Sequence, residues 1–531
     1  MKFHLALLGK SELKIPACKV TAFIFSMAAA GAYAAPNSSA HRNAAPKASA
    51  FSNSAPHSAR DESFVRAKTL AANMKLPPGV KLERVGAAIS GTPDVYKFTF
   101  PNGLRLMVLP DNRNPLGTLR VKLDGGSNRE VLGKTGLAHF FEHMMFRKTK
   151  ATDEGHYDRT LAGIGGNGNA GTSTDYVVYE SAFPGPALEK MLELESQRFT
   201  ALDVTDPYFT TEKGAVISER RLRYENDPSQ RASELINFQV EKGTPYEWFT
   251  IGAKQDVENM SIPAAMEFYK NIYAPDNSLM TIGGPYNPEQ VITMVNKYFG
   301  NWTTKTNSAR LKSPENYTTR NLGKSFICGE DVTESKYQII FPSTDTSYKS
   351  NVMTMVFNHM LNDHPDGQFT RRLLKNKLAT GSGIYKVSYR KTNPPIIAYF
   401  KLNRDQKFAE LEKFWWKSVQ EVLKKSFDAN AKKAILKQVA VDEAETAQKM
   451  TTLVETYEWS EFFFNDFLAD KQVSSIINNL TEAEFRSWIV TNLDQRKSFI
   501  TGVVPTQIAP KCNAVSVQNN ATPTGTESLK K

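Results

Sequence analysis

Two histidines four residues apart, His139 and His143, flank Glu142 in the stretch Gly136-Leu137-Ala138-His139-Phe140-Phe141-Glu142-His143-Met144-Met145-Phe146. On a helix, positions i and i+4 share a face, so both imidazoles can reach one ion. Glu142 follows His139 by three residues and lies close enough to that face to hold a water on the ion. Neutral imidazole and a tetrahedral site suit Zn²⁺. Leu137, Phe140, Phe141, Met144 and Met145 supply the apolar packing that fixes such a helix and keeps the ion's surroundings dry. The order is H-x-x-E-H, the inverse of H-E-x-x-H.

A catalytic zinc keeps three protein ligands and one open position, so the motif needs a further carboxylate or histidine on a second element. The stretch Phe209-Thr210-Thr211-Glu212-Lys213-Gly214-Ala215-Val216-Ile217-Ser218-Glu219-Arg220-Arg221 reads as a helix. Its Glu212 and Glu219 are seven apart, two turns along one face. H-x-x-E-H followed by E-K-x-x-V-x-x-E, whose final Glu219 stands 75 intervening residues after His143, resembles the pitrilysin/insulinase family of inverted-zincin metallopeptidases. The resemblance implies that His139, His143 and Glu219 bind Zn²⁺, that Glu142 is the general base, and that Glu212 supports the site without touching metal.

The glycine-rich stretch Gly165 to Tyr179 is not a phosphate loop, since no Gly-Lys-Ser/Thr follows and no helix begins there. It resembles the family's N-A-x-T edge strand, here Asn169, Ala170 and Thr172, which would pair with an extended peptide by β-augmentation. Thr244 to Trp248 with Ile251-Gly252, and Tyr269 to Gly284, also match family segments. One departure has consequences for mechanism. The family's later domain carries an Arg and a Tyr seven apart that grip the substrate and stabilise the oxyanion. Here Tyr385 can take the Tyr place, but Leu378 stands where the Arg belongs. Losing one such donor costs about 10²–10³ in rate. The resemblance therefore implies a heterodimer in which a related half-length chain supplies the pair, with a slow homodimer as the other possibility.

Residues 1–34 read as an export signal, with Lys2, Lys10, Lys14 and Lys19 in front, an apolar run over Val20 to Ala30, and Ala32-Tyr33-Ala34 before Ala35. No stretch reaches the roughly 18 apolar residues that a spanning helix needs. The expected location is periplasmic or secreted. Without the four lysines and Glu12 of that segment the net charge falls from +11 to +8, spread with no dense basic block, which is not a nucleic-acid footprint. Cys328 and Cys512 then remain, and they could pair in an oxidising compartment.

The fold expected is α+β, with two related domains, each a mostly antiparallel sheet flanked by helices. A flexible leader is expected over 35–85, a zinc-binding domain over 86–302, a linker over 303–324, a second domain without metal over 325–508, and a tail over 509–531. Val95 to Phe100 and Leu104 to Leu109, joined at Asn102-Gly103, read as a hairpin. Leu119 to Leu123 reads as the next strand. The second unit repeats the order from Ser325 without H-x-x-E-H; His359 and His364 lack ligand spacing, and Trp415 and Trp416 read as core. The functional expectation is a zinc endopeptidase subunit acting on peptides or unfolded segments, with a non-catalytic scaffold of the same family as the alternative.

Overall fold

Arg105-Leu-Met-Val-Leu-Pro110 is apolar on both sides because both of its faces are covered. In the computed structural model, which describes residues 59–512 apart from 88, 90, 308–311, 314, 363–368 and 404–406, Leu106 and Val108 enter one core while Met107 and Leu109 enter another. This strand, β3, belongs to a seven-stranded sheet. Its other members are β1 (Lys81–Gly86), β2 (Val95–Thr99), β4 (Leu116–Leu123), β5 (Asn167–Thr172), β6 (Val177–Pro184) and β7 (Ser278–Gly284). The order is β1-β2-β3-β7-β4-β6-β5, antiparallel throughout except between β3 and β7.

The second sheet holds β8 (Ser325–Glu330), β9 (Glu334–Phe341), β10 (Gly381–Lys386), β11 (Ile396–Asn403) and β12 (Phe499–Pro505) in the order β10-β11-β9-β12-β8. Only β8 and β12 run parallel. Read from β8, the order β8-β12-β9-β11-β10 repeats β3-β7-β4-β6-β5 strand for strand, so the two units are related α+β sheets and β10 corresponds to β5. Each packs helices on an apolar core, with Trp415 fully buried in the second, as its sequence context predicts.

The described residues lie in one compact unit, and the two sheets exchange helices. The helix Pro228–Val240 lies between the metal motifs and β7, yet Ala232, Ile236 and Val240 pack on Phe326, Cys328, Ile340, Ile397 and Val503 of the second sheet. In return Met450, Leu453, Val454 and Tyr457 of the helix Met450–Phe464 cover Val95, Met107, Leu109 and Leu279 of the first. That helix also brings charge: Glu458, fully buried, accepts from Arg120 Nε at 2.7 Å and pairs with Lys122 at 2.5 Å. Glu461 pairs with Lys97 at 2.8 Å. Buried charges persist only when paired in this way. Cys328 on β8 is disulfide-bonded to Cys512, and residues 510–511 lie against Gly329 at the edge of the same strand.

The leader expected over 35–85 is shorter than its composition implied. Ala59–Ala71 is a helix that buries Ala67, and Lys81–Gly86 is the outer strand β1. The charge of Arg84 disguises this strand in the sequence. Arg84 is 2% exposed, held by Asp466 at 2.6 Å and by Ser63 at 2.9 Å, and Asp466 is 382 positions away. Nor is the 303–324 stretch free of contacts: Tyr317 is buried, and Arg320 and Asn321 both donate to the Val240 carbonyl. The expected export signal, the part of the leader before 59, His364 and the tail from 513 lie outside the described residues. Among the described residues, no helix is long and apolar enough to cross a membrane.

Candidate metal centre and its peptide edge

Leu137–Met144 forms the expected motif helix, buried at Leu137, Ala138, His139, Phe140, Phe141, Glu142 and Met144. Its start is held by two features. Gly136 sits at φ +89° against Gly252 at φ +83°, and a Cβ on Gly252 would lie 2.6 Å from Gly136 Cα. Only glycine fits both conditions. Beside this contact the buried carboxylate of Glu130 accepts from the Gly136 and Ala138 N–H groups at 2.9 and 2.7 Å, and from Trp248 Nε1 at 2.9 Å. These bonds satisfy N–H groups that the first turn of a helix leaves unpaired. Burial pushes the Glu130 carboxyl up to about 8, against the pull of its three donors. The segment Thr244 to Gly252 therefore does pack beside the site.

The second carboxylate-bearing helix runs from Asp206 to Arg220 and passes into a π-helical turn over Arg221–Glu225. It packs on the motif helix through Phe209, whose ring lies 4.9 Å from that of Phe140. This crossing brings His139, His143 and Glu219 together, their nearest ligand atoms all within 4.8 Å of one another. Glu219 Oε2 is 3.7 Å from His139 Nε2 and 3.4 Å from His143 Nε2. Three ligands at ordinary zinc bond lengths on a tetrahedron stand about 3.3 Å apart. Two neutral imidazoles and one carboxylate fit zinc in both chemistry and spacing.

The surrounding groups fix the orientation of these side chains. Glu212 Oε2 lies 3.2 Å from His143 Nδ1, leaving Nε2 to face Glu219. Arg147 grips the other oxygen of Glu212, and Arg223 Nη1 holds Glu219 Oε1 at 2.7 Å. Among the described residues Nδ1 of His139 has no hydrogen-bond partner. Burial lowers the His139 imidazole below the usual histidine range. Burial also acts to lower His143, but its hydrogen bonds to Glu212 and Glu219 prevail and hold it at about 9. Against burial, which would raise it, the His143 hydrogen bond and the His139 and Arg223 charges hold Glu219 at about 2. His143 thus lies between the Glu212 and Glu219 carboxylates, and Arg223 balances the charge of Glu219.

Glu142 is 4% exposed, and its Oε2 accepts from Thr172 Oγ1 at 2.7 Å. Thr172, expected to contact peptide, here positions Glu142. It ends β5, the outermost strand of its sheet, whose far side pairs with no strand among the described residues. Ala170 turns its side chain into the core, so only its backbone is available at the edge; Asn169 is half-buried. Leu378 and Tyr385, the positions compared with the family's Arg and Tyr, both pack against apolar clusters of the second domain, Tyr385 against the one shared with the Pro228–Val240 helix. Sequence reading missed Glu130, Arg147 and Arg223. The last had a signal, its i+4 spacing from Glu219; the first had none.

Residues 106–253 match the sequence profile described as Insulinase (Peptidase family M16), and residues 259–439 match that of the Peptidase M16 inactive domain. The chain belongs to the insulinase family, peptidase family M16. This M16 chain is 30% identical over 224 residues to the zinc protease PqqE of Helicobacter pylori, covering 41% of this chain and 50% of that protein. It is 23% identical over 328 residues to a probable mitochondrial-processing peptidase subunit beta of Arabidopsis thaliana, covering 57% of this chain and 59% of the other. The M16 match spans about half the length of these curated relatives. The solved structure of a protease from Helicobacter pylori shares the fold, with a TM-score of 0.71 at 21% identity over 78% of this chain and 100% of that one. The inactive-domain profile covers most of the unit that repeats the first sheet without its motif, in agreement with the repeat read from strand order.

Proposed function

We propose that this chain is the metal-carrying subunit of an exported zinc endopeptidase that hydrolyses peptides or unfolded segments. The observation that supports this best is the convergence of His139, His143 and Glu219 next to a Glu142 carboxylate that is hydrogen-bonded to the end of an open edge strand. Zinc held by His139, His143 and Glu219 would supply a Lewis acid for the scissile carbonyl and a more acidic water. The remaining chemistry belongs to the chain. β5, the outermost strand of its sheet, offers its outer edge to an extended peptide, which places one peptide bond beside Glu142. Glu142 takes the proton of the attacking water and returns it to the leaving amine. Thr172 fixes the carboxylate on its open side, and Glu212 with Arg147 sets the tautomer of His143.

Leu378 cannot donate to an oxyanion, so the Arg/Tyr pair comes from a related half-length chain in a heterodimer. The N-terminal segment directs export to the periplasm or medium, and the Cys328–Cys512 bond is in keeping with an oxidising compartment. The test is zinc content together with cleavage of a quenched peptide, alone and with a co-encoded related subunit. Bound zinc with cleavage only alongside the partner is the expected result. Zinc with full activity alone removes the partner requirement. Neither zinc nor cleavage under either condition assigns the chain to a scaffold role.

A further inference from the structure

Strand alternation gives β5 two different faces. Ala170 and Thr172 point to the motif helix, so Gly171 faces the opposite side of the sheet, where a Cβ would meet nothing within 4 Å. Farther across the sheet, over β3, β7 and β4, that side is covered by the Met450–Phe464 helix of the second domain. Trp459 and Phe463, four residues apart on this helix, form one face and stay half-buried. Their ring centroids are 4.3 Å apart, and both lie against Tyr176 at 6.4 and 6.1 Å. Tyr176 closes the turn that follows β5, its carbonyl accepting from Ser173 N at 2.8 Å. An aromatic wall therefore stands on the same face of the sheet as Gly171, away from the metal ligands, with Tyr176 two residues from Val178, the register partner of Gly171.

We propose that Tyr176, Trp459 and Phe463 form a side-chain subsite that selects an apolar, preferentially aromatic residue of the bound peptide. The inference rests on the reading of β5 as the peptide-pairing edge. A strand added to β5 turns alternate side chains toward this wall while their neighbours face the metal side. Charge sets the class of residue accepted. Lys122, fully buried against Glu458, already lies 4.6 Å from the Tyr176 ring centroid and 5.6 Å from that of Trp459. These rings already carry the Lys122 ammonium, so they give a second cation no new partner, whereas an aromatic ring would stack on a surface already held rigid. The first domain supplies the edge and the second supplies the wall, so the helix exchange between domains builds the site.

The test separates this subsite from the peptidase reading by measuring binding without turnover. Full-length Glu142→Gln protein is titrated with short peptides that differ only by Phe, Ala or Lys at one scanned position, followed by peptide anisotropy. At one position Phe should bind about tenfold tighter than Ala, in line with the worth of aromatic pairs, and Lys no tighter than Ala. Trp459→Ala or Phe463→Ala in the same background should bring the Phe/Ala ratio close to one with the Ala peptide unchanged, while Trp459→Phe keeps it. A ratio near one at every position, absent binding, or a ratio insensitive to both alanine variants overturns the proposal. So does peptide-free self-association that Trp459→Ala abolishes, which would give the wall to a second copy. If the unmutated protein cleaves nothing but the ratio stands, the peptidase reading fails and the subsite survives; cleavage with a flat ratio gives the reverse.

Discussion

Oε2 of Glu212 stands 3.2 Å from Nδ1 of His143, and the other oxygen of the same carboxylate is gripped by Arg147. Two residues 69 positions apart in the chain thereby decide which nitrogen of His143 faces Glu219. Removing the charge of Glu212 should loosen the metal without removing a ligand. Glu212→Gln is expected to weaken zinc binding by about 10–100-fold. His143→Ala and Glu219→Ala should leave no bound zinc after dialysis. Chelator competition on the purified chain measures all three, and full zinc occupancy in the Glu219 variant would remove it from the ligand set.

Glu142 should behave differently from its neighbours. Glu142→Gln keeps the shape and the Thr172 contact but cannot accept a proton. Cleavage is expected to fall by about 10²–10⁴-fold at unchanged zinc content. Metal analysis and kcat/KM on the same preparation check this together, and activity close to that of the unmutated protein would exclude Glu142 as the base.

The helix exchange predicts a stability cost at Glu458. Its carboxylate is fully buried between Arg120 and Lys122, so Glu458→Gln leaves the buried Lys122 without its paired carboxylate, while Arg120 keeps Glu180. The expected loss is about 3–5 kcal/mol in chemical denaturation, with both sheets affected because one helix serves both domains. A loss below about 1 kcal/mol would mean that water reaches the pair.

Reduction should destabilise the second sheet. The Cys328–Cys512 bond closes a loop with a sequence separation of 184, for which the chain-entropy model gives about 5 kcal/mol. Cys512→Ser, or reductant on the unmutated protein, should lower Tm and make the two indistinguishable. Thiol alkylation with intact-mass measurement verifies the bond itself, and an unchanged Tm would show that it contributes nothing.

Lys386 gives a pH signature. Burial lowers its ammonium from 10.5 to about 8, while its Nζ donates to the Asp345 carbonyl and to Ser350 Oγ. Between those two values the unfolded chain holds a proton that the folded chain has released. Stability therefore rises as pH climbs through that window, by roughly 3 kcal/mol at most. Denaturation of Lys386→Met, compared with the unmutated protein from neutral to alkaline pH, should lack this rise; parallel curves would place the ammonium in contact with water.

Local pattern and spacing determined the metal motif, the carboxylate helix, the Asn102-Gly103 hairpin and the repeat of one α+β plan in two halves, because each is a short-range matter of periodicity and turn chemistry. Family resemblance added the edge strand at Asn169 to Thr172. The first strand stayed hidden because Arg84 is buried only by virtue of Asp466, and no local pattern announces a partner 382 positions away. For the same reason the pairing of Glu130 with Trp248, the helix exchange, and the aromatic wall of Tyr176, Trp459 and Phe463 were decided by tertiary structure alone. Each depends on a charge or ring whose environment is built from chain segments that meet only when the whole molecule has packed.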